Sequence, residues 1–179
     1  MKKIALAVLL LTGMSLSSKA QDMKMANEKT VEVGGAPMYP SKNIIENAIN
    51  SQEHTTLVAA VKAAGLVETL QGKGPFTIFA PTNSAFAKLP AGTVDNLVQP
   101  QNKSTLTKVL TYHVVAGRVD SKELMQWIKK GKGTATLTTV EGGKLWVMQN
   151  DGKLWLKDEK GNMAQITISD VYQSKASST

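Results

Sequence analysis

Three glycine-bearing turns cut the last third of the chain into four short segments, and this spacing constrains the fold more than any other feature. Glu141-Gly142-Gly143, Asn150-Asp151-Gly152 and Lys160-Gly161-Asn162 separate residues 134–140, 144–148, 153–157 and 163–172. The segments have strand length and the turns carry the residues hairpin loops require, so the spacing predicts an antiparallel β-meander. Ahead of it the chain reads mostly as helices, without a regular alternation of strand and helix. A parallel nucleotide-binding sheet is thereby excluded. One α+β domain is expected, a helix-rich first half packed on a sheet from the second.

Within that first half, Ser41 is placed to cap a helix carrying Ile44, Ile45, Ala48 and Ile49 on one face. A second helix begins near Thr55, with Leu57, Ala60, Val61 and Ala64 inward and Gly65 where a left-handed cap belongs. Leu66, Val67 and Leu70 make a short third turn. Gly72-Lys73-Gly74-Pro75 then turns into the strand 76–80, which is apolar on both faces and so expected at the centre of a sheet. Pro81 ends it, Thr82 or Asn83 caps a helix through Phe86 and Leu89, and Pro90 stops that helix. Helical pieces follow at 94–97 and 103–110. Residues 112–115 read as a strand closed by Gly117. Asp120 and Glu123 form a capping box for a helix with Leu124, Trp127 and Ile128 inward.

The first 20 residues carry an address. Met1-Lys2-Lys3 is basic, Ile4 to Leu11 is apolar throughout, and Ser18-Lys19-Ala20 sets small residues at a processing site. This is the pattern of a secretory signal peptide, with the mature chain beginning at Gln21. The apolar run is shorter than the roughly 18 residues a spanning helix needs, so export to the periplasm or medium is expected without a transmembrane segment. The division that follows is a signal peptide at 1–20, a tether at 21–40, a domain at 41–174 and a tail at 175–179. In the tether, Gly34-Gly35-Ala36-Pro37 interrupts any element, and Met38-Tyr39 docks on the body.

Composition narrows the chemistry. With no Cys among 179 residues, disulfide scaffolds, thiolate zinc sites and cysteine nucleophiles are excluded. The formal charge of +7 falls to +4 once Lys2, Lys3 and Lys19 leave with the signal. The remaining lysines are dispersed and Arg118 is the only arginine, which argues against nucleic acid as partner. It leaves a solvated lysine-rich surface or attraction to acidic polysaccharide. Nucleophile-elbow, phosphate-loop, zinc-helix and calcium-loop motifs are absent, so no catalytic residue, metal or cofactor is expected. Two alternatives are carried forward: a hydrolase using His113, and a small-ligand carrier with an apolar pocket. Trp146 and Trp155 share a face opposite Leu145, Val147, Leu154 and Leu156, where they either stack on a partner or lie beneath the helices.

Two stretches carry a resemblance. Phe76-Thr77-Ile78-Phe79-Ala80-Pro81-Thr82-Asn83-Ser84-Ala85-Phe86 is followed some 30 residues on by Leu110-Thr111-Tyr112-His113-Val114-Val115-Ala116-Gly117. In this order and spacing they resemble the fasciclin domain, and the likeness extends over residues 40–172. The resemblance implies an α+β wedge acting as a non-catalytic adhesion or matrix-binding module toward an extracellular or envelope protein or polysaccharide. It makes Phe79, Pro81, Thr82, Asn83 and Phe86 structural signature positions. It also places the family's adhesion-linked pairs on Tyr112-His113 and Asp170-Val171, against which stands a hydrogen-bonded core role for Tyr112 and His113. The family's last apolar strand, led by Asn-Gly, has no counterpart after Tyr172. That difference leads us to expect an unfilled sheet edge, marginal stability and self-association.

Overall fold

The computed structural model describes residues 28–71 and 74–173. The signal peptide at 1–20, the processing site, the first part of the tether, Gly72-Lys73 and the tail at 175–179 lie outside the described residues. The rest of the tether proves to be folded. Strands β1 (Val31–Val33) and β2 (Ala36–Met38) form an antiparallel hairpin with Val31 opposite Met38. Gly34 and Gly35 both take positive φ, so the glycines expected to interrupt structure instead make the two-residue turn. A Cβ on Gly34 would collide with the Ser51 hydroxyl. Met38 does dock on the body, and Ala36 is buried with it.

Helix α1 (Ile44–Ala48) is capped by Asn43 and not Ser41. The Asn43 side chain accepts from the N–H groups of Ile45 and Glu46, while Glu46 accepts from the Asn43 N–H. With the helix starting later and ending at Ala48, Ile45 is buried and Ile49 is left 53% exposed. Helix α2 (Thr55–Ala64) ends at Gly65, whose φ of +70° supplies the left-handed cap. His54 stands at its start as a boundary residue. It is nevertheless buried, with its Nδ1 2.8 Å from the Ser51 Oγ. After α3 (Val67–Gln71) come β3 (Phe76–Ile78), α4 (Asn83–Phe86), α5 (Thr93–Leu97), a 3-10 turn and α6 (Lys103–Thr111). Ile45, Val61, Leu66, Leu106 and Leu110 close the helical core.

A second core lies under the sheet. Strand β4 (Val114–Ala116) leads into α7 (Ser121–Lys130), then into the meander β5 (Thr134–Thr138), β6 (Lys144–Asn150), β7 (Lys153–Lys157) and β8 (Met163–Ile166). The Asp120–Glu123 capping box forms as expected. It sets Leu124 and Ile128 one turn apart against Leu137, Leu145 and Val147. Trp127 does not join them. At about 100° per residue it falls on the shoulder of that stripe and is 37% exposed.

Three further expectations fail on the strands. β3 pairs only with β4, and its residues are half-buried, so it is not a central strand among the described residues. Tyr112 is the C-terminal cap of α6, so the Tyr112-His113 pair occupies a helix-to-strand corner and the strand starts at Val114. β8 ends at Ile166, well short of 172, and the chain then leaves the sheet toward α7. Between Leu66 and Leu106 no described residue is buried.

Candidate binding face

The meander buries one face only. Ala135, Leu137, Leu145 and Val147 alternate inward beneath α7, and Leu154, Leu156 and Ile166 pack on the same core. Every intervening side chain is then turned to the other face, which α7 does not cover. Register sets Thr134, Met148, Trp155 and Gln165 in one row across the strands, and Thr136, Trp146, Lys157 and Met163 in the next. Trp146 and Trp155 are therefore diagonal neighbours on this outer face, both half-buried. Met148 and Met163 complete the apolar surface, and Lys144 and Lys153 stand on the same face. Two open grooves of about 510 and 450 Å³ run over it, sharing Thr134 and Met148.

The turn at one end of the face is braced by Tyr112. Its phenol donates to the Lys144 carbonyl at 2.7 Å and accepts from the Glu159 N–H at 3.3 Å. Gly143 faces the ring so closely that a Cβ would come within 2.6 Å of it. Burial pushes the phenol pKa up, against the Glu159 N–H bond, and the carboxylates of Glu159, Asp158 and Glu141 add to the rise. Glu159 accepts in turn from the Lys144 N–H. Asp158 accepts from the N–H groups of Lys160 and Asn162 and from the Asn162 amide. Burial alone would raise the Asp158 pKa, but these bonds and the Lys160 charge outweigh it and hold it below the ordinary value. Tyr112 thus positions the wall of the groove that holds Trp146.

His113 meets Tyr112 edge to face at 6.2 Å, and its Nδ1 donates to the Val109 carbonyl at 2.8 Å. No side-chain hydroxyl among the described residues is within hydrogen-bond distance of the ring. Both residues are half-buried and hydrogen-bonded, a corner brace more than a core pair.

Asp170 is not brought to that corner. It adopts φ +60° and its carboxylate accepts from the Ser121 N–H at 2.8 Å and from the Ser121 hydroxyl. Ser121 opens α7, so the carboxylate sits where the helix favours negative charge. Burial opposes ionisation, but the Ser121 bonds and Lys122 prevail and lower the pKa. Val171 follows, half-buried, and the Tyr172 ring lies 4.3 Å beneath the Arg118 guanidinium.

Among the signature positions, Phe79 packs on the sheet core while Thr82 makes no cap bond and pairs with the Ser84 hydroxyl. Pro81 and Phe86 flank that turn, half-buried. Asn83 caps a different helix from the one expected. It accepts from the Thr56 N–H at 3.0 Å and donates to Gln52 and Thr55, closing the start of α2 from 27 residues away. Sequence reasoning missed Met148, Met163 and the lysines of the outer face. Counting alternate positions through the Asp151-Gly152 turn, where both residues have positive φ, is the signal that finds them.

Comparison with known proteins agrees with this architecture. A profile of the Fasciclin domain matches residues 52–177. Protein sll1483 of Synechocystis is 40% identical over 166 residues, covering 92% of this chain and 85% of its own. The cell surface glycolipoprotein MPB83 of Mycobacterium bovis is 42% identical over 82 residues, 43% of this chain and 36% of its own. The solved domain pair of the insect cell adhesion molecule fasciclin I superposes with a TM-score of 0.65 at 13% identity, covering 83% of this chain and 55% of that one. The chain belongs to the fasciclin domain family.

Proposed function

We propose that this protein is an exported, non-catalytic adhesion module that holds a partner at the cell envelope through the outer face of β5–β8. The observation that carries this reading is the pair Trp146 and Trp155, diagonal neighbours on a sheet face that no helix among the described residues covers. Aromatic surface on one face is spent on binding more often than on folding when the opposite face already supplies a core. A surface location is supported by the name of the mycobacterial relative, a cell surface glycolipoprotein. Tyr112 and Asp170 take supporting roles in this scheme, the first bracing the groove wall and the second tying down the segment after β8.

The competing readings fit less well. A hydrolase built on His113 lacks a nucleophile, since no side-chain hydroxyl among the described residues is within hydrogen-bond distance of its ring. A carrier of apolar ligands calls for an enclosed pocket, whereas both grooves are open and carry lysine, threonine or amide groups in their walls. The test is retention of the secreted protein on isolated envelope material. Trp146→Ala with Trp155→Ala should release it without lowering the melting temperature by more than a few degrees. Retention equal to the parent defeats the reading. Export itself is checked by N-terminal sequencing, which should begin at Gln21.

A further inference from the structure

The outer face offers more than aromatic surface. Along each strand the tryptophan is flanked on its own face by lysine, Lys144 before Trp146, and Lys153 and Lys157 on either side of Trp155. None of these three ammonium groups has an ion-pair partner among the described residues. The two carboxylates in the groove wall are turned to internal work, Asp158 on the Lys160 and Asn162 N–H groups and Glu159 on that of Lys144. Cation thus stands beside indole over an open, grooved surface. Threonine and amide groups from Thr134, Thr136 and Gln165 stand in the same rows.

We propose that the ligand of this face is an acidic polysaccharide, a chain of sugar rings bearing carboxylates. This rests on the sheet face being the binding surface. The apolar side of a sugar ring stacks on an indole, its hydroxyls meet threonine and glutamine, and carboxylates along the chain reach the flanking lysines. Each feature of the face then has a counterpart in one repeating ligand. A peptide strand fits less well, because the tryptophan-bearing strands β6 and β7 are paired on both edges, so strand addition is left to the outer edge of β8, a strand away from Trp155 and two from Trp146. A lipid surface fits less well too, because insertion needs a projecting apolar cap, whereas here the apolar side chains line open grooves walled by threonine, amide and, in one of them, lysine groups.

The secreted protein titrated with polygalacturonate should show a change in tryptophan fluorescence. Raising NaCl from about 0.05 to 0.5 M should weaken binding about tenfold, since the lysine contacts are solvent-exposed and screened. Lys153→Gln with Lys157→Gln should reduce affinity and flatten the salt dependence. Trp146→Ala with Trp155→Ala should abolish binding at any salt. Trp155→Phe, which keeps an aromatic face, should retain part of it and guards against a variant that merely misfolds. Equal binding to neutral dextran, with no effect of the lysine changes, overturns the acidic ligand while leaving the face intact. Equal or tighter binding to poly-glutamate or to phosphatidylglycerol vesicles also overturns it. Loss of neither polygalacturonate nor envelope binding in the tryptophan variant overturns the face and the inference together.

Discussion

The meander and the stretch from Val67 to Thr105 are both rich in apolar side chains, yet they use them in opposite ways. In the meander Val147 is 0% exposed and Leu137 and Leu145 are within 5% of fully covered. In the other stretch Phe76, Ile78, Phe79 and Phe86 are all only half-buried, although Phe76-Thr77-Ile78-Phe79 is as apolar as any strand of the meander. The difference is one of partners. Each meander strand finds its neighbour a short turn away, so pairing and burial come with little loop-closure entropy. β3 must wait for β4, more than 30 residues on, and has no strand on its other side among the described residues. Apolar content fixes what a segment is able to bury, while topology decides what it does bury.

The sharpest way to break this contrast is to truncate one side chain on each side of it. Leu137→Ala opens a cavity in a closed core and should cost about 2–5 kcal/mol. Ile78→Ala removes a half-covered side chain and should cost about 1 kcal/mol. Urea midpoints measured side by side decide the matter, and equal losses would mean that β3 is covered in solution. Sedimentation at rising concentration adds a check on the open edge. Association that Ile78→Lys abolishes is the expected result for edge-to-edge pairing of two copies.

The same contrast explains what was readable in the sequence. The four meander strands, the capping box at Asp120 and Glu123, and the Gly65 cap depend on residues within a turn or hairpin of one another, and each was legible. The Gly34-Gly35 hairpin was equally local, but at three residues per strand it left too little alternation to register. The role of Asn83 was hidden for a different reason. An Asn at the very start of a short helix reads as its cap, and nothing local says that its side chain reaches back to Thr56. For the candidate face, the two tryptophans were visible as a same-face pair. Whether they lay beneath the helices was not, because that depends on which face α7 chooses. Leu124 and Ile128 settle it by meeting Leu137, Leu145 and Val147 on the inner side.

Next in size comes the long-range cap. Asn83→Ala removes the acceptor for the Thr56 N–H and the donor to the Gln52 carbonyl, so α2 loses its closure. A loss of about 1–2 kcal/mol is expected, the upper range for a helix cap. Asn83→Asp should recover part of it, since the acceptor survives and only the amide donor is lost. Thr82→Ala, by contrast, should be nearly neutral, because Thr82 caps nothing. If Thr82→Ala proves the costlier of the two, the local cap operates after all and the long-range tie is secondary.

The smallest effect concerns the segment after β8, which is tied down by the Asp170 carboxylate and by the Tyr172 ring beneath Arg118. Asp170 bonds Ser121 at the start of α7, and its pKa is held below the ordinary carboxylate value. A group whose pKa is lower folded than unfolded stabilises the fold above its unfolded pKa, about 3.9 for Asp. That contribution is lost as pH falls through the folded value. At pH 7 Asp170→Asn should therefore cost about 0.3–1 kcal/mol, the usual worth of a charge at a helix N-terminus. The gap between parent and variant should begin to close as pH drops below about 4, where the unfolded chain's carboxylate takes up a proton, and vanish as pH falls on through the lower folded value. Asp158 is shifted in the same direction, but it is present in both proteins and cancels from the difference. Because Ile168 and Tyr172 are exposed, the segment should loosen locally before the sheet unfolds, so protease cleavage after Tyr172 should quicken in the variant at pH 7. A gap that widens on acidification would show that Asp170 is protonated in the folded protein and donates to Ser121, reversing the direction of the tie.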